Sequence, residues 1–135
     1  MTDKNLRNHP IVRDASVRAR DFEEVSLGFD AETARAEAER CLSCINAPCA
    51  KGCPVGVDIP KFISLFKNGD TNGAKAAILK DSSFPSVCGR VCPQENQCEK
   101  FCVRGIKGQP VAIGLLERYV ADNAQKTEVS VSDNF

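Results

Sequence analysis

Cys41-Leu42-Ser43-Cys44-Ile45-Asn46-Ala47-Pro48-Cys49-Ala50-Lys51-Gly52-Cys53-Pro54 is the stretch whose reading decides the fold. It places four thiols in a short span, with gaps of two, four and three residues, and ends on a Cys-Pro. Asn46, Pro48, Gly52 and Pro54 are turn residues, so the sequence predicts a loop over 43–57. A second quartet, Cys88-x3-Cys92-Pro93-x5-Cys98-x3-Cys102, carries its own Cys-Pro within a turn-rich stretch, 81–111. Loops this long inside a compact domain need a reason. Thiolates held in close pairs, able to share a metal centre, supply one.

Three chemistries use such cysteines. A disulfide framework belongs to oxidising compartments, and Met1 to Pro10 is polar and charged, without the apolar core of a signal peptide. The sequence therefore points to the cytoplasm, where thiols stay reduced. Two structural zinc sites, each held by four cysteines in a protein-interaction module, are the alternative. However, only Cys41-x2-Cys44 has the usual two-residue knuckle gap, and no histidine lies near either quartet. His9, the single histidine, sits in a polar arm and reads as solvated. Iron-sulfur cubanes fit better. Each takes one thiolate per iron, and in two-cluster ferredoxins Cys-x2-Cys-x2-Cys-x3-Cys-Pro sends its fourth cysteine to the other cluster. The first quartet follows that logic with one gap longer by two residues. Cys41, Cys44 and Cys49 then serve one 4Fe-4S cluster, and Cys53 crosses to a second. Cys88, Cys92 and Cys98 supply two or three ligands to that second cluster, and Cys102 returns to the first.

The bulk properties exclude other classes. A chain of 135 residues is one domain, marginal without extra cross-links. Its 18 basic and 18 acidic residues cancel, so no global charge draws it to nucleic acid or an anionic membrane. No apolar run approaches the ~18 residues of a membrane span. There is no GxGxxG segment or P-loop for a nucleotide, no Ser-His-Asp arrangement and no paired carboxylates. The chain alone is not read as catalytic.

The rest of the sequence reads as all-α. Residues 1–22 form a polar arm, extended or partly helical, with solvated arginines. A helix over Ala31–Leu42 starts at the cap Asp30, turns Ala31, Ala34, Ala38 and Leu42 to one face, and keeps Glu37 and Arg40 on the surface. Asp58 caps a helix over Ile59–Lys67, with Ile59, Phe62, Ile63 and Phe66 inward. Another follows over Thr71–Lys80. A last helix, Val111–Asn123, buries Ile113, Leu116 and Val120 and exposes Glu117, Arg118 and Asp122. Strand signals are confined to residues 127–131. The domain proper spans 23–124, and 125–135 is a tail.

Several strings then recur in a familiar order: Phe22-Glu23-Glu24-Val25, Glu37-Ala38-Glu39-Arg40-Cys41-Leu42-Ser43-Cys44, Gly52-Cys53-Pro54-Val55, Cys88-Gly89-Arg90-Val91-Cys92-Pro93-Gln94-Glu95-Asn96-Gln97-Cys98-Glu99 and Pro110-Val111-Ala112-Ile113-Gly114-Leu115-Leu116-Glu117-Arg118. Residues 20–124 closely resemble the N-terminal iron-sulfur domain of the NADPH-dependent glutamate synthase small subunit. That domain type also occurs in the ferredoxin:NADP transhydrogenase large subunit and in dihydropyrimidine dehydrogenase. The resemblance implies a helical domain with two 4Fe-4S clusters, one on Cys41, Cys44, Cys49 and Cys102, the other on Cys53, Cys92 and Cys98. The fourth ligand of the second would be Glu117, with Cys88 the alternative. It further implies single-electron relay between an NADPH/FAD flavoprotein domain or subunit and a larger redox subunit. In such relatives a flavin domain follows directly, and the tail is read as leading toward it.

Overall fold

The computed structural model describes residues 3–126. Among these the regular structure is helical apart from one short antiparallel strand pair. The helices are α1 (Ala15–Arg18), α2 (Ala31–Ala38), α3 (Pro48–Gly52), α4 (Ile59–Lys67), α5 (Thr71–Leu79), α6 (Pro85–Val91) and α7 (Ile113–Asn123). Three 3-10 turns, Gln94–Asn96, Glu99–Phe101 and Val103–Ile106, lie between α6 and α7. The all-α expectation holds. The β-prone residues 127–131 fall outside the described residues.

The core is built from the elements with the clearest period. Phe62, Ile63 and Phe66 of α4, Ile78 of α5, and Leu116 and Val120 of α7 are buried together. Each such side chain contributes about 1.5–3 kcal/mol of transfer free energy. The Phe66 and Tyr119 rings meet at 5.5 Å between centroids, tilted by 59°. Asp30, Asp58 and Asp70 cap α2, α4 and α5 by accepting from the amides of Thr33, Lys61 and Gly73. Ala34 and Ala38 let α2 approach this core closely.

Four expectations are corrected. Helix α2 ends at Ala38, not Leu42. The amides of Arg40 and Cys41 bond back to Glu37 and Ala38, a tighter 3-10 closure, so Cys41 lies just past the helix and Leu42 faces outward. Glu37 and Arg40 are not on the surface: they are 0% and 3% exposed. Glu37 accepts from Asn8 N, Asn8 Nδ2, Ala112 N and Arg40 Nη1. Arg40 in turn donates to the carbonyls of Lys4, Gln109 and Pro110. A buried charge survives when it is paired and its remaining donors and acceptors are satisfied. Arg118 is also buried, held by Glu24 and by the carbonyl of Ser26. Finally, the arm's arginines are not all solvated: Arg13 pairs with Asp21. Strand β1 (Ile11–Val12) pairs antiparallel with β2 (Ser26–Gly28), and Arg7 is ion-paired with Glu99 at 2.8 Å.

Candidate metal centre

The Cys-x3-Cys steps obey one local rule. Cys49 lies in the first turn of α3 and Cys53 follows its end, Cys88 lies within α6 and Cys92 follows its end, and Cys98 precedes the Glu99–Phe101 turn that Cys102 closes. The later cysteine of each pair has extended backbone, with ψ of 123° at Cys53, 137° at Cys92 and 126° at Cys102. For Cys53 and Cys92 the next residue is proline, which disfavours helical geometry at the residue before it. Each Cys-Pro thus ends a short helix; Cys53 turns to a different pocket from Cys49, whereas Cys92 stays beside Cys88. The sequence expected only loop in 43–57 and 81–111; α3, α6 and the 3-10 turns lie there instead.

The thiols gather around two pockets. The first is lined by Cys41, Cys44, Cys49 and Cys102, together with Ile59, Ile63, Val111 and Ile113. The second is lined by Cys53, Cys88, Cys92, Cys98 and Glu117, with Val57, Ile59 and Ile113. Cys49 and Cys53 part to different pockets, and so do Cys98 and Cys102. Ile59 and Ile113 belong to both walls, so a single layer of side chains divides the two sites.

The loop of the first site is conformationally unusual. Ser43 and Ala47 have φ of 51° and 40°, the left-handed region that non-glycine residues seldom adopt. Each such residue costs of order 1–3 kcal/mol, a strain that clusters at functional sites.

Electrostatics distinguish the donors. Burial raises the Cys41 thiol, takes Cys49 to about 11 and takes Cys98 to about 12. Burial, and then the neighbouring Cys88, raise Cys92. Such thiols give up a proton only to a strong positive partner, which a metal centre supplies. Cys102 is among the groups opposing ionisation of Cys41 and Cys49, and Cys53 plays that part for Cys92 and Cys98. Glu117 is half-buried, and burial alone takes its carboxyl up to about 7. Neither Arg118 nor Arg104 pairs with it. Arg118 binds Glu24 and Asp122, and Arg104 donates to the carbonyl of Arg40. Cys88 has the Ser82 hydroxyl 3.7 Å from its sulfur.

The family of domain II of dihydropyrimidine dehydrogenase, the 4Fe-4S cluster domain, matches residues 18–129. This chain belongs to that family. It is an iron-sulfur domain. Among curated proteins it is 37% identical over 118 residues to the small chain of NADPH glutamate synthase from Halomonas elongata, covering 87% of this chain and 25% of that one. The corresponding small chain of Escherichia coli is also 37% identical over 118 residues, with the same coverage. The E. coli NAD-dependent dihydropyrimidine dehydrogenase subunit PreT is 37% identical over 110 residues, 82% of this chain and 27% of PreT. The iron-sulfur domain thus spans about a quarter of the length of these relatives. No helix of its described residues is long and apolar enough to cross a membrane.

Proposed function

We propose that residues 23–124 hold two 4Fe-4S clusters and relay single electrons in an NADPH-linked oxidoreductase of the glutamate synthase small-chain type. In this reading Cys41, Cys44, Cys49 and Cys102 hold one cluster, and Cys53, Cys92, Cys98 and Glu117 the other. The observation that carries it is the sorting of eight cysteines and one carboxylate around two pockets that share Ile59 and Ile113. Glu117 is preferred to Cys88 as the eighth ligand because its carboxylate lines the second pocket without an arginine partner among the described residues, whereas Cys88 already has Ser82 beside it. A hard oxygen among soft thiolates would also set the second cluster's potential apart from the first.

When bound, the clusters supply the one-electron chemistry, at potentials set by ligands, burial and nearby charge. The chain's own residues do the rest. Ile59, Ile63, Val111 and Ile113 keep water from the thiolates, and the Cys-Pro turns fix which sulfur faces which site. The crossed ligands Cys53 and Cys102 bind the two loops to each other, so neither site can shift alone. Hydride chemistry would belong to FAD and NADPH on a flavoprotein domain or subunit, with a larger redox subunit at the other end of the relay. The cytoplasm, where thiols stay reduced, suits such a site.

Reduction of the anaerobically purified chain, followed by electron paramagnetic resonance, tests this. Two paramagnetic centres that broaden one another's signals are expected. One isolated signal at full reduction would refute the paired arrangement.

A further inference from the structure

Two consecutive arm residues reach two different buried carboxylates. Arg7 Nη1 lies 2.8 Å from Glu99 Oε2, and Asn8 donates from both its backbone amide and Nδ2 to Glu37 Oε2, each at 2.8 Å. The arm is fastened further by the Gln109 amide on the Asn5 carbonyl and by Arg7 N on Gln109 Oε1. The family match begins at residue 18, so these contacts come from outside the matched region.

The two carboxylates differ in compensation. Glu37 is neutralised within the domain by the buried guanidinium of Arg40. Among the described residues Glu99 has no such partner in the domain. Its other oxygen accepts the Gly114 amide, at 3.2 Å, in the first turn of α7. Its cation is Arg7, and the side chains of Arg7 and Glu99 are 23% and 6% exposed. Glu99 is buried and follows Cys98 directly in the chain. A buried negative charge beside a cluster ligand disfavours an added electron, and a paired cation cancels that effect.

We infer that Arg7 is a positioning and charge-compensating residue for the second cluster: by pairing with Glu99, the N-terminal arm raises that cluster's reduction potential above the value Glu99 alone would impose. This rests on the two-cluster reading. The balanced step it modulates is the gain of one electron by the oxidised cluster, with no proton or bond exchanged.

The test is a potentiometric titration of the cluster-loaded chain by electron paramagnetic resonance, with iron counted on the same samples. The second cluster is identified as the one whose signal is lost in Cys98→Ser. Arg7→Met should shift its potential to a more negative value, and Arg7→Lys, which keeps the charge, should leave it near the wild type. Glu99→Gln should shift it positive, and the Arg7→Met/Glu99→Gln pair should return toward the wild type. The first cluster should hold its potential throughout. Should Glu99→Gln fail to fold, the two Arg7 variants decide. An unchanged potential in Arg7→Met with full iron, equal movement of both clusters, or equal shifts in Arg7→Met and Arg7→Lys would overturn the inference. Fewer than two clusters in the unaltered chain would instead overturn the reading beneath it.

Discussion

Gly89 sits where α6 crosses α7, and replacing it with alanine tests how the second site is held together. A Cβ at this position would lie 2.7 Å from Arg118 N, 2.8 Å from Arg118 Cβ and 2.9 Å from Arg118 Cα. Ordinary carbon contacts begin near ~3.5 Å, so the helices must part by roughly 1 Å. The obstructing atoms are mainly backbone, which cannot swing aside as a flexible side chain does. Overpacking of this kind costs about 1–3 kcal/mol. Alanine regains up to about 1 kcal/mol of helix propensity over glycine. The balance is a loss of up to about 2 kcal/mol, or a fall of up to roughly 10 °C in melting temperature for a domain of this size. The displacement also has a direction: it moves Cys88 and Cys92 on the α6 side away from Glu117 on α7. Gly89→Ala should therefore lose iron from the second site before the first. Calorimetry and iron analysis on the same sample read both effects. A variant that melts with the wild type and keeps all its iron would refute the claim that this helix contact builds the site.

Three further outcomes are expected. Glu117→Ala should abolish the second cluster or change its spectrum while Cys88→Ala leaves iron content unaltered; the opposite pattern would transfer the eighth ligand to Cys88. Removing the iron with a chelator should speed amide hydrogen exchange over 41–57 and 85–108 far more than in α4 and α5, because ligand binding stabilises these loops and apolar packing stabilises those helices; equal protection before and after would contradict this. Arg13, hydrogen-bonded to Asp21, holds its carboxyl down to about 2. A depressed folded value means that the pair's contribution is whole above the ordinary carboxylate pKa of ~3.9 and is lost as pH falls through about 2. A carboxyl-detected NMR titration of Asp21 should show this, and an ordinary midpoint would break the assigned pairing.

The elements visible in the sequence are those with an unambiguous period and a cap. The helix expected over Ile59–Lys67 is found at those bounds, because Asp58, Pro60 and four apolar residues at helical spacing agree. The spacing expects Cys102 to join Cys41, Cys44 and Cys49, and these four cysteines line one pocket. What was hidden has physical causes. Helices α3 and α6 are a turn or two long and contain glycine and proline, so no hydrophobic stripe marks them. Glu37, Arg40 and Arg118 read as surface residues because periodicity treats every charge as solvated. Their burial depends on donors and acceptors brought from distant segments: Asn8 and Ala112 for Glu37, and Ser26 and Glu24 for Arg118. Arg7 escaped for the same reason, since its partner lies 92 residues away. The left-handed Ser43 and Ala47 carry no compositional signal, because neither is glycine or asparagine.

Iron, acid-labile sulfide and zinc per chain, measured on protein purified without oxygen, test the central claim most directly. Two 4Fe-4S clusters predict about eight irons and about eight sulfides with no zinc. About two zincs without sulfide would contradict the account and leave a structural docking module in its place.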